Sequence, residues 1–244
     1  MGRKLKLFLV FLLAVSVAGG FELPVETTQC VVGVADGWNS SHATLSFYEK
    51  RGAIWRRVGD PWPARLGSNG LVWGLGMHPL PAAAPTTKRE GDSRAPAGVF
   101  GIGDVWGYAA SVAKHPKWPY HQIGQRDLWV EDPASPNYNR HLLLDHVPAT
   151  TWEKQQQMKQ DDAAHALKLF IAHNAPPKVV AHAGSAIFFH IWRADGGKPT
   201  AGCTTMAEVR LRDLISHLDP ARKPVYVLLP KTEYDAQRTQ WKLP

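Results

Sequence analysis

Cysteine is nearly missing from this chain: Cys30 and Cys203 are the only two in 244 residues. Two cysteines make no disulfide framework of the kind that staples small secreted domains, and a chain of this length does not need one to hold a core. Charge of one sign is scarce as well. The formal net charge is +7, but Arg3, Lys4 and Lys6 stand near the start with no acid to offset them, and setting those three aside leaves +4. A surplus that thin gives no basis for a nucleic-acid-binding stripe. No internal repeat is present, and after Phe21 no apolar run is long enough to span a bilayer. Metal-site spacings such as H-E-x-x-H or paired cysteines are absent despite 11 His. Gly101-Ile102-Gly103 lacks the further glycine and the strand-to-helix setting of a nucleotide loop, and reads as a turn.

What is there begins with an address. Met1-Gly2-Arg3-Lys4 is a positive start, Leu7 to Val15 is a short apolar stretch, and Ser16-Val17-Ala18 supplies small residues at a cleavage site. The apolar segment, about 12 residues, falls short of the roughly 20 that cross a bilayer, so residues 1–20 read as a signal peptide and 21–244 as one exported domain. The 21 Gly and 19 Pro imply many turns and short strands. Turn signals recur at Ala35-Asp36-Gly37, Gly59-Asp60-Pro61, Gly67-Ser68-Asn69-Gly70, Asp132-Pro133 and Gly196-Gly197. Strand-like runs lie between them: Cys30 to Val34, Thr44 to Tyr48, Ala53 to Val58, Leu71 to Trp73 and Val225 to Leu229. Helical patterns cover Trp152 to Leu169 and, more clearly, Met206 to Leu218. The domain is therefore mainly β. Pro79 to Pro85 reads as an extended surface connection, Cys30 as a small core hydrophobe, and Trp106, Trp118 and Trp129 as core or rim packing rather than a sugar-binding platform.

The informative window is Gly184 to Leu218. The period-two pattern of Gly184 to Trp192 puts Phe188, His190 and Trp192 on one face of a strand, with Ile187, Phe189 and Ile191 on the other. Asp195-Gly196-Gly197-Lys198-Pro199 turns the chain, and Thr200-Ala201-Gly202-Cys203 brings a thiol back within reach of His190. Thr205-Met206-Ala207-Glu208 has the form of a capping box, which would set Cys203 just before a helix N-terminus, where free amides favour a thiolate. Gly202 allows close approach to the backbone, and the amides of Cys203 and Thr204 are placed to hold an oxyanion. Together these residues form an acyl-transfer constellation: nucleophile, base and oxyanion donors. The order His then Cys is the reverse of papain-like peptidases.

These residues resemble a known family. Gly184 to Arg193 followed by Pro199-Thr200-Ala201-Gly202-Cys203 is similar to the His…(Ser/Thr)-x-Gly-Cys signature of the L,D-transpeptidase (YkuD-type) catalytic domain. Lys88 to Phe100 resembles the segment that opens that domain, and Glu131-Asp132-Pro133, Tyr138-Asn139-Arg140 and His173-Asn174 fit a branch of it. The resemblance implies a β-sandwich-like catalytic domain with a few short helices, acting on peptidoglycan stem peptides on the outer side of the cytoplasmic membrane. It implies Cys203 as nucleophile, His190 as base and later acid, and Gly202 with the Cys203 and Thr204 amides as oxyanion site. Thr200, Trp192, Arg193, Tyr138 and Asn139 are the expected substrate contacts. No metal or cofactor is expected, and carbapenem-type β-lactams are the expected acylating inhibitors. Thr205 stands where the family often has Arg, leaving a substrate carboxylate to Arg193, Lys198 or Arg210; Ile191 and Ser93 stand where Gly is common. Alternative readings are a cysteine hydrolase of the same fold, of L,D-carboxypeptidase or amidase type, and a cell-wall-binding module without turnover.

Overall fold

The computed structural model describes residues 20–81, 84 and 86–244; the expected leader lies, apart from Gly20, outside them, as does part of the Pro79 to Pro85 connection. Strands β1 (Gln29–Ala35), β2 (His42–Arg51), β3 (Ile54–Arg65) and β4 (Leu71–Trp73) precede the long β5 (Ala95–Gly107). An excursion follows, with β6 (Tyr120–Gln122), β7 (Asp127–Trp129), β8 (His141–Leu143) and helix α1 (Thr151–Gln155), before the chain returns in β9 (Leu167–Ile171). The remainder is β10 (Phe188–Ile191), β11 (Thr204–Met206), α2 (Glu208–His217), β12 (Val225–Pro230) and α3 (Lys231–Gln237).

Eight strands pair in the order β12-β1-β2-β3-β11-β10-β9-β5, and β5 pairs back onto β12. The fold is thus mainly β with three short helices, as expected, and its sheet runs round into a mixed barrel. The β1–β12 and β10–β11 pairs are parallel, and the others in the ring are antiparallel. The main core gathers Leu45, Phe100, Leu169, Phe189 and Tyr226, all fully buried, with the Phe189 and Tyr226 rings 4.5 Å apart. Burying each such side chain contributes roughly 1.5–3 kcal/mol. Leu211, Leu214 and Ile215 recur at helical spacing and seat α2 on this core.

Four local expectations are corrected. Thr205 does not cap a helix: Thr204–Met206 is strand, and α2 starts at Glu208 with Ala207 as its uncapped N-cap. Ring closure demands a strand there, and the pairing overrides the T-x-x-E pattern. The box that does form is Thr150 with Glu153, at α1. The helix expected over Trp152 to Leu169 ends at Gln155, because Leu167-Lys168-Leu169-Phe170-Ile171 alternates with a period of two and joins the barrel. Gly59-Asp60-Pro61 lies inside β3 at a register shift, where a bulge absorbs the glycine and proline. Gly101-Ile102-Gly103 is part of β5. Cys30 is a fully buried free thiol, as read, and Cys203 is free as well. Trp106, Trp118 and Trp129 are buried.

Gly98 shows how tightly the barrel wall is packed. Its φ is 138°, and an added Cβ would lie 1.8 Å from Cε1 of His78. That imidazole is itself fixed, since the Val99 amide donates to its Nδ1 at 3.0 Å and the Trp73 and Trp241 rings lie 5.6 Å away. Gly98→Ala should therefore lose about 3 kcal/mol of stability through overpacking and backbone strain. The check is a denaturant titration, and an unchanged midpoint would show that His78 can move aside.

Candidate functional site

Alternation along β10 sends its side chains to two different places. Phe189 enters the main core, whereas Phe188 joins a second cluster with Trp106, Ile123, Trp129 and Met158, against which Cys203 packs. This second cluster is built between the barrel wall and the excursion that joins β5 to β9. It encloses a cavity of about 40 Å³ whose lining includes Cys203, His190, Lys168, His165, Glu131 and Trp129. Nucleophile candidate and imidazole therefore share one recess.

The parallel β10–β11 register pairs Phe189 with Thr204, which sets Cys203 beside Phe188 at the bend just before the strand. The Cys203 thiol donates to the Ala186 carbonyl at 3.3 Å, and its sulfur accepts from the Phe188 amide at 3.4 Å. Ala186 has a φ of 54°, a left-handed conformation that an alanine holds only under constraint. Asn139 supplies the constraint. Its Oδ1 accepts from the Ala186 amide at 3.0 Å and from Trp129 Nε1 at 2.9 Å, while its Nδ2 donates to the carbonyls of His173 and Asn174 at 3.1 and 2.8 Å. On the other flank, Thr200 Oγ1 accepts from the Gly202 amide at 3.0 Å and donates to the Cys203 carbonyl at 2.7 Å. At Gly202 an added Cβ would meet the Arg94 carbonyl at 3.0 Å with φ at 148°.

Burial shifts the titratable groups of the recess toward their neutral forms. It pushes the Cys203 thiol up to about 11, against a smaller opposing effect of the Phe188 amide. His190 is lowered to about 4, chiefly by burial. Its Nδ1 lies 2.9 Å from the Ile191 carbonyl, which assigns the proton to Nδ1. The His165 ring stacks on it at 4.7 Å and is lowered to about 3 by burial first and then by neighbouring cations. Lys168 is buried and lowered to about 8, again by burial. Glu131, accessible at the rim but hemmed in by the surrounding chain, is raised to about 7 by desolvation and by Glu90.

The expected residues divide into two groups. Cys203 and His190 line the recess together, although no hydrogen bond joins them among the described residues. The others hold the walls. Thr204 Oγ1 meets the Tyr226 hydroxyl at 3.1 Å, and Thr204 is already a ladder residue, while the Cys203 amide has no partner among the described residues. Tyr138 and Asn139 are buried, with Tyr138 donating to Glu90, which also accepts from Ser185 at 2.7 Å. Trp192 is half-buried, against Gly196. Arg193 is tied to Asp162 at 2.6 Å and to His165 Nε2 at 2.9 Å, and Lys198 and Arg210 are exposed. Upstream, Lys88 pairs with Asp92, and Ser93 takes a φ of 55°, the conformation for which glycine is suited. Sequence reasoning missed Lys168 and His165. The lone charge inside an alternating apolar run was the available signal for Lys168; nothing local marks His165.

Two measurements probe this geometry. Alkylation of Cys203 by iodoacetamide should accelerate steadily as pH rises toward about 11, because only the thiolate reacts; a plateau near neutrality would mean a preformed thiolate. Asn139→Ala should destabilise the protein by about 3 kcal/mol, since it strands buried donors and acceptors. A thermal melt together with a changed Cys203 alkylation rate reads that loss, and an unaltered pair of values would remove Asn139 from this role.

Residues 38–227 match the YkuD family, described as the L,D-transpeptidase catalytic domain. No curated protein matches the chain. Among solved structures, similarity extends to the helical cell shape determining protein Pgp2 from Campylobacter jejuni, at 13% identity and a TM-score of 0.37, covering 84% of this chain and 48% of that one. It extends also to Bd1075 of Bdellovibrio bacteriovorus, at 12% identity and a TM-score of 0.40, covering 92% and 58%. The chain thus spans about half the length of these structures.

Proposed function

The chain belongs to the L,D-transpeptidase catalytic-domain family, and on that premise we propose that it is a cysteine acyltransferase acting on peptidoglycan stem peptides outside the cytoplasmic membrane. The observation that carries this reading is the shared recess: a partly accessible thiol, held at a bend by Ala186 and Phe188, beside a buried neutral imidazole.

A neutral thiol next to a neutral imidazole needs a base at the moment of attack. With its proton on Nδ1, His190 offers Nε2. The thiol leaves its hydrogen bond to Ala186, passes its proton to Nε2, and the sulfur attacks the carbonyl at the L-centre of the stem's diamino acid. The oxyanion is met by the Cys203 amide, whose hydrogen-bonding capacity is unspent; Thr204, committed to the ladder, is the weaker candidate. Collapse expels D-alanine, whose amine takes the proton back from His190, and leaves a thioester. An amine of a second stem then attacks, gives its proton to His190, and displaces the sulfur as the thiol is restored. Gly202 lets this bend pack closely against the Arg94 carbonyl, which fixes the backbone that carries the sulfur.

The test is incubation of the mature protein with purified muropeptides, read by mass spectrometry. Released D-alanine with a cross-linked dimer is the expected result, and Cys203→Ala should abolish both while the fold is kept. Release of D-alanine with only a tripeptide would assign the hydrolytic activity instead, and no release beside an active transpeptidase control would overturn the acyl-transfer reading.

A further inference from the structure

Two hydrogen-bond donors in the recess that holds the thiol have no carboxylate within hydrogen-bond reach among the described residues. Lys168 lies on the outward face of β9, directly across from His190 in the β9–β10 ladder. It is 5% exposed. Its ammonium has three protons to donate, yet its partners among the described residues are the Met158 carbonyl at 3.1 Å and the face of the Phe188 ring at 5.8 Å. No carboxylate reaches it at salt-bridge distance among the described residues; Glu131, which lines the same recess, and Asp162 act on it only from farther off, and a buried cation without a directly paired counter-charge is costly. His165 is the second donor. A guanidinium only donates, so the contact of Arg193 with His165 Nε2 at 2.9 Å fixes that nitrogen as an acceptor and puts the ring proton on Nδ1. Nδ1 is buried with no partner among the described residues. Asp162, the nearest carboxylate to this ring's surroundings, is already engaged by Arg193 at 2.6 Å and by the Ala164 amide at 2.8 Å.

Both donors line the recess that holds Cys203, and that recess measures about 40 Å³. A single water needs roughly 10–15 Å³ on this scale, so the space suits a handful of non-hydrogen atoms. We propose that Lys168 and His165 bind the free carboxylate of the residue that departs from the donor stem, and so favour donors that carry that carboxylate over donors in which it is masked. The inference rests on the acyl-transfer reading of Cys203 and names the two residues that set its donor specificity. Lys168 supplies the charge and His165 Nδ1 a fixed direction, a pairing that favours a planar anion over a neutral amide.

Titration calorimetry with the Cys203→Ala protein tests this without turnover. The probes are a stem tetrapeptide ending in a free carboxylate and the same tetrapeptide ending in a carboxamide. The acid should bind about tenfold to a hundredfold more tightly than the amide, the span expected of a charge-assisted contact. Adding Lys168→Met should bring the two affinities to within about threefold, mainly by weakening the acid. His165→Phe should weaken the acid likewise, and His165→Asn, which keeps an N–H at the Nδ1 position, should restore much of the difference. Equal affinities for acid and amide before any Lys168 change, or an equal loss for both probes in Lys168→Met with an unchanged melting temperature, would overturn the proposal. Failure of the acyl-transfer reading shows separately, as an absence of D-alanine release by the unmodified protein.

Discussion

The barrel is closed by a strand of three residues. Thr204, Thr205 and Met206 pair in parallel with Phe189, His190 and Ile191, and Thr205 alone bridges to Arg65 of β3. Without these pairs β3 and β10 would each present an unpaired edge. The same pairs decide where the candidate nucleophile sits, because the residue immediately before the first of them is Cys203. Closure of the sheet and placement of the sulfur are thus one constraint, and Thr205 is recruited to it: its side chain is buried, and its hydroxyl has no partner among the described residues. A buried hydroxyl left unpaired is unfavourable, which makes its position in the ladder a matter of backbone pairing rather than of side-chain chemistry.

Around that fixed point the site is assembled from groups kept uncharged by burial. The thiol, His190 and His165 are all shifted toward their neutral forms, and the charges that persist lie beside them in Lys168 or at the rim in Glu131. Such a site does not store a thiolate. It holds a proton donor and a proton acceptor in one recess, where fixed dipoles act more strongly than in water. The supporting hydrogen bonds are aimed accordingly: Asn139 on one flank and Thr200 on the other fix the backbone on which the sulfur rests.

Much of this was legible in the residues. The period-two pattern around His190 correctly separated Phe188 from Phe189, and the Gly202-Cys203 bend returned to the same recess. The helix from Glu208 was read within two residues, but its start was misassigned because local capping chemistry at Thr205 lost to a long-range strand pairing that no local pattern encodes. β9 was hidden for another reason: its period-two alternation is local, but the polar approach from Trp152 onward suggested helix. With β9 hidden, Lys168 could not be placed. The bracing contacts of Asn139, a residue expected at the substrate, were not legible, since its partners Trp129, His173, Asn174 and Ala186 meet it only in the folded state.

The recess has two walls of different origin. One is barrel strand, where each residue answers to the closed ring; the other belongs to the long excursion between β5 and β9, which pairs mainly with itself through β7 and β8. Both stretches shape the recess, since Lys168 stands on the barrel strand β9 and Glu131 and Met158 on the excursion. An exchange in that excursion alters the residues that Cys203 faces across the recess without removing a strand from the closed ring.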